Sequence, residues 1–161
     1  MVRPVLEPAA LYCILFSRGD GTFHWTIGAA VDTANALKMH ATNVQGGWAY
    51  EKKMHNIIKS QTACVAVKIG QLSSTDVIDR VSSTLERIPM SIPSIDQSIE
   101  RVFTCRVWVK EAVRVLAANG FISCSDVAGL EREVKGYGQA QDEKTISGHP
   151  VVVHKSTVAS V

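Results

Sequence analysis

The stretch from Thr104 to Gly120 constrains this chain more than any other. Apolar residues stand at Val107, Trp108, Val109, Ala112, Val113, Val115, Leu116 and Ala117. At helical spacing they wrap almost the whole circumference. A helix that is apolar all round has to lie inside the molecule, so other elements must cover it. Thr104 offers an N-cap oxygen and Asn119-Gly120 a C-terminal stop, which predicts a helix from Cys105 to about Asn119. Cys105 then falls in the first turn, at the positive end of the helix dipole and among unpaired N–H groups. Such donors favour a thiolate, the form in which cysteine acts as a nucleophile. The same position equally suits a cysteine that only packs, because free cysteine is among the most buried residue types.

What covers this helix is legible in the order of the remaining segments. Leu11 to Ser17 is apolar and β-rich, Gly19-Asp20-Gly21 is a turn signal, and Phe23 to Val31 reads as the return strand of a hairpin. Alternation puts Phe23, Trp25 and Ile27 on one face of that strand and His24, Thr26 and Gly28 on the other. Leu37 to Thr42 is a third strand, with Met39 and Ala41 opposite Lys38, His40 and Thr42. After the turn Asn43–Gly47, the chain re-enters the sheet at Trp48 to Glu51, and Lys52 to Gln61 is polar and carries no clear pattern. Thr62 to Gly70 is the clearest strand of all. Ser73 and Asp76 form a capping box for a helix whose stripe is Val77, Ile78, Val81, Leu85 and Ile88. Pro89 to Gln97 is an irregular crossing, and a third helix starting at Ser123 or Ser125 carries Val127, Leu130, Val134 and Tyr137. Gln139 to Gly148 is polar, and Val151–Val153 is an edge strand or part of a loose tail. Strands first and helices after predict an α+β fold, an antiparallel sheet packed on a central cysteine-bearing helix. The 161 residues suit a single domain, with a core over about 11–138 and a polar segment and tail over 139–161.

Composition narrows the function classes. Seventeen basic and fifteen acidic residues leave a net charge of +2 with no basic run, so nucleic-acid binding has no electrostatic support. The four cysteines, Cys13, Cys64, Cys105 and Cys124, lie far apart with no Cys-x-x-Cys pair, and 46% of the chain is hydrophobic. A core of that size does not need disulfides, which favours a reducing, cytoplasmic setting. The apolar run Ala9–Phe16 is too short to cross a membrane, and Arg18-Gly19-Asp20 after it reads as a hairpin turn rather than a cleavage or adhesion signal. Neither GxGxxG nor GxxxxGK[ST] occurs, so no nucleotide loop is expected, and no cofactor is implied.

A cysteine nucleophile needs a base within reach and usually a third group to orient that base. His24 and His40 sit in apolar, strand-like segments, where an imidazole needs a reason, and neighbouring strands would present both rings on one face. His24 is then the general base to Cys105 and His40 fixes its tautomer. The bland alternative is two half-buried sheet histidines satisfied by backbone. One thiolate with two imidazoles would also make an open zinc site, but none of the three lies at short ligand spacing, so no metal is expected. His55 reads as a surface residue, and His149 and His154 as tail residues. Glu51 is the one acid in an aromatic strand segment, either a polar lining residue or an edge-strand surface charge.

His24-Trp25-Thr26, Lys38-Met39-His40 and Cys105-Arg106-Val107-Trp108-Val109, in this order, resemble the circularly permuted papain-like fold of the lecithin:retinol acyltransferase type. With His40 to Asn43 as His-x-x-Asn, Trp48 to Glu51 as Trp-x-Tyr-Glu and Cys-Arg-x-Trp-Val at Cys105, the chain is similar, more closely still, to a fungal family of small uncharacterised proteins. The resemblance covers roughly Leu11 to Gly120. It implies that Cys105 is the nucleophile, His24 the general base and His40 the polarising third member. Trp25, Asn43, Trp48, Glu51, Thr104 and Arg106, in or beside these motifs, are the candidates for substrate contact. Thr104 stands where those acyltransferases usually carry asparagine, and Thr157–Val161 ends the chain without their membrane anchor, which argues against a bilayer substrate.

The expectation is therefore a thiol hydrolase or acyltransferase that acts on an ester, thioester or amide of a small-molecule, acyl or peptidyl substrate through an acyl-enzyme. Its rivals are a ligand-binding or interaction module on the same scaffold, and a biosynthetic cyclase that uses the same acid–base pair. The distance of the Cys105 sulfur from either imidazole discriminates the first two. Oligomeric state is left open.

Overall fold

A computed structural model describes residues 3–160; Met1, Val2 and Val161, the last of the tail, lie outside it. The protein has the α+β class read from the sequence. Six strands, β1 (Ala10–Ser17), β2 (Phe23–Ala30), β3 (Asn35–Thr42), β4 (Ala49–Asn56), β5 (Ala63–Gln71) and β6 (Val152–Lys155), form one sheet in the order β4-β3-β2-β1-β5-β6. All neighbours are antiparallel except β5 and β6, which run parallel.

Three helices lie on one face: α1 (Ile78–Glu86), α2 (Cys105–Ala118) and α3 (Val127–Ile146). Thr104 caps α2 by accepting from the Val107 N–H, and Gly120, with φ 77°, takes the left-handed turn that ends it. Val107, Trp108, Ala112 and Leu116 are sealed from solvent. Burying each large apolar side chain of this kind contributes about 1.5–3 kcal/mol, enough to fix α2 against β2 and β3. The odd-numbered residues Leu11 to Leu15 and Phe23 to Ala29 supply the sheet's half of this core. A smaller core on the reverse face joins Leu6, Tyr12, Ile14, Phe16 and Ile57.

The differences from the sequence reading have physical causes. The cap of the first helical segment is Ser74, not Ser73, and it starts a single 3₁₀ turn (Thr75–Val77) before α1. Lys52–Asn56, too polar to assign, continues β4, because an edge strand exposes residues on both faces. Asp126 caps α3 in place of Ser123 or Ser125, and the polar Gln139–Ile146 is the second half of that helix. Asp142 is buried there and accepts a hydrogen bond from Ser17 Oγ. Gly138 lets α3 approach so closely, since a Cβ at that position would stand 2.8 Å from Leu15 Cδ1. Of the two readings of Val151–Val153 the edge strand holds, as β6, and His154, expected in the tail, stacks there on Tyr137 with centroids 3.8 Å apart. His55, expected at the surface, is half-buried edge-on to the Phe16 ring.

Candidate active site

The site is built where the sheet comes apart. β1 and β2 pair along the whole length of β2, and β3 and β4 along the whole length of β3. Between β2 and β3, however, pairing runs only from Ala30–Ala36 to Ile27–Met39 and then stops. Phe23–Thr26 and His40–Thr42 diverge as the two arms of a fork. Hydrogen bonding alternates along an antiparallel strand, and the Val31 N–H, which donates to Asn35 O, shows that odd-numbered amides here face β3. The Trp25 N–H points the same way, into the fork, and there it donates to Cys105 Sγ at 3.5 Å. The sulfur at the tip of α2 thus occupies the place that a β3 carbonyl would take in a closed sheet.

The two histidines bridge the arms of the fork. His24 Nε2 and His40 Nδ1 are 2.6 Å apart, with the rings nearly perpendicular at 81°. Beyond them, His40 Nε2 lies 3.0 Å from Glu51 Oε1, its register partner across β3 and β4. This chain fixes the protons. A carboxylate only accepts, so neutral His40 donates from Nε2 and its Nδ1 accepts. His24 must then donate from Nε2, which leaves Nδ1 as the free lone pair. Burial first, then the His40, Arg18 and Lys38 charges, push the His24 imidazole down to about 3, so it is neutral at ordinary pH. Burial also lowers His40, against the opposing pull of Glu51.

Among the described residues, Cys105 Sγ accepts from the Trp25 N–H and from Arg18 Nη2 at 3.7 Å, and neither imidazole is hydrogen-bonded to it. Trp25 follows His24 directly, so covalent geometry holds the His24 Cα within about 6 Å of the sulfur. Cys105 is only 3% exposed, yet it lines an open cleft of about 540 Å³. Trp25, Asn43, Trp48, Thr104 and Arg106, all expected to contact substrate, line that cleft as well. Trp48 is held edge-on against Phe103, with centroids 5.3 Å apart.

Two of the expected contacts differ in role. Glu51 does not line the cleft; its carboxylate is used by His40. Arg106 reaches the cleft with its charge already committed, bidentate to Glu100 and bound again to Glu131. In return Glu100, pulled down by Arg106 and then Lys110, is held at about 2. Three further residues line the cleft without standing out in the sequence: Arg18, which reads as a turn residue, and Lys135 and Gln139 on α3. The hairpin offered a signal for Arg18, since it stands two residues beyond Phe16, the register partner of His24, and so falls diagonal to His24. For Lys135 and Gln139 the signal was their i, i+4 spacing, visible only if α3 is carried past Tyr137.

No group of three or more His, Cys, Asp or Glu side chains is placed to hold a metal ion among the described residues. No helix among them is long and apolar enough to cross a membrane.

The chain belongs to the DUF6540 family, a family of unknown function, whose model matches residues 11–123. That span runs from β1 to just past α2, and so includes His24, His40, Glu51 and Cys105. No curated protein and no solved structure matches the chain.

Proposed function

We propose that the protein is a cysteine-dependent hydrolase or acyltransferase of the permuted papain-like kind, acting on an ester, thioester or amide. The observation that carries this reading is the relay Glu51–His40–His24, whose last member directly precedes Trp25, the residue whose N–H donates to the sulfur of Cys105. In this scheme the Sγ–H proton passes to His24 Nδ1 as sulfur adds to the substrate carbonyl carbon. The Trp25 N–H, already within reach of the sulfur, is a donor for the negative charge that develops on the carbonyl oxygen. Collapse expels the alcohol, thiol or amine, which takes the proton from His24. A water or a second acceptor, deprotonated by His24, then attacks the thioester and releases the acyl group. His40 and Glu51 hold the tautomer throughout. The unpaired state of all four cysteines fits the cytoplasmic setting.

The absence of a direct imidazole–sulfur hydrogen bond is the one observation that favours the rival, a binding module without turnover. Turnover of a panel of nitrophenyl esters, with mass spectrometry for a covalent acyl adduct, decides between them. Wild type is expected to turn over and to carry the adduct on Cys105, and Cys105→Ser and His24→Asn to lose activity by at least about a thousandfold. Unchanged activity in Cys105→Ser, in a chain that still melts cooperatively, refutes the hydrolase reading.

A further inference from the structure

The charge around the cleft points to the kind of acyl group it takes. Three cationic side chains line it, Arg18, Arg106 and Lys135, and no carboxylate does. Arg106 is neutralised by Glu100 and Glu131, whereas among the described residues no carboxylate lies within ion-pair distance of Arg18 or Lys135. Arg18 spends one Nη2–H on the sulfur, and its remaining donors form a planar fork that matches a carboxylate. Trp25 and Trp48 give the same cleft apolar walls.

We infer that the acyl group accepted beside Cys105 carries its own carboxylate, placed to meet Arg18, with Lys135 adding to the positive field at the rim. That describes the half-ester or half-thioester of a dicarboxylic acid, with its free carboxylate on the guanidinium and its carbonyl carbon against Sγ. The inference rests on the hydrolase reading for the identity of the group as an acyl donor, but the charge preference is separable from turnover.

Two measurements on the full chain test it. The first is alkylation of Cys105 by iodoacetate and by iodoacetamide, read as the ratio of rates against the same ratio for glutathione. A cationic site should raise that ratio by about tenfold at low salt, with the gain lost in Arg18→Gln and reduced in Lys135→Gln. Because Arg18 and Lys135 are exposed, neither variant threatens the fold. The second is kcat/KM for nitrophenyl glutarate against nitrophenyl butyrate, where wild type should prefer the anionic ester by a similar factor and Arg18→Gln should not. A ratio no higher than glutathione's, a ratio unmoved by Arg18→Gln, or a Cys105 silent to both reagents overturns the inference. Anion-selective alkylation without turnover of either ester supports the charged site and refutes the hydrolase reading. Turnover without anion preference does the reverse.

Discussion

Acidification is the most informative perturbation, because it acts on the one group that the fold holds furthest from its ordinary state. Burial, His40, Arg18 and Lys38 take His24 from the usual imidazole value of 6.5 to about 3. At pH 8 the ring is neutral both folded and unfolded and adds nothing to the balance. Between pH 6.5 and 3 the unfolded chain binds a proton there that the folded chain refuses, so stability must fall as pH drops through that window. The full shift corresponds to about 2 kcal/mol lost by pH 5, and solvent reaches part of the ring, so a loss of about 1–2 kcal/mol is expected. His40, His55 and His154 are also lowered by burial and add losses of the same sign. The comparison with His24→Asn isolates the one ring. Urea unfolding of both proteins at pH 8 and pH 5 should show wild type losing more by that amount. Carboxylates interfere little, since Glu100, the most depressed of those paired to α2, stays ionised at pH 5. Parallel losses in the two proteins would refute a neutral, buried His24 and with it the tautomer chain.

Glu51→Gln keeps an acceptor for the His40 Nε2–H and should lower kcat/KM by no more than about threefold, whereas Glu51→Ala should lower it about tenfold with KM little changed. A pH–rate profile that shifts in Glu51→Ala but not in an Ala substitution at the neighbouring Lys52 would tie the effect to the relay. At the other end of α2, burial works to raise the Asp96 carboxyl, but Arg114 and Lys110 outweigh it and hold it ionised. Asp96→Asn takes the bidentate partner from Arg114 and one of two carboxylates from Lys110, which keeps Glu100, and should cost about 1.5–3 kcal/mol in urea unfolding at pH 7.

How much of this was legible in the sequence depended on whether a segment's pattern was set locally. The apolar runs of β1, β2 and β5 and the Thr104–Gly120 helix announced themselves because burial on one or both faces writes directly into residue type. Lys52–Asn56 and Gln139–Ile146 did not, since a sheet edge and the outer half of a surface helix make few demands on composition. The alternation of β2 and β3 put His24 and His40 on one face, as their contact requires. Glu51 stood out as a candidate for substrate contact, but its pairing with His40 was hidden for a different reason. Its place opposite His40 depends on how the loop from Asn43 to Trp48 closes, and a loop of that length permits several registers. The fork itself has no local signature at all, for it is a property of two strands together.

That fork explains why three functional candidates from three distant segments meet at one point. A β2–β3 ladder that stops half-way leaves buried amides without partners, and each unmet donor costs about 1–3 kcal/mol. Cys105 Sγ takes up the Trp25 N–H and the His24–His40 bond spans the gap, so the atoms assigned to chemistry also replace missing sheet hydrogen bonds. Site and stability are therefore coupled at Cys105. Truncation to alanine removes the acceptor of the Trp25 N–H together with the nucleophile and would blur loss of activity with loss of local order. Serine retains an acceptor at the same place, which makes Cys105→Ser the substitution that separates the thiol's reactivity from its share in holding the two strands apart.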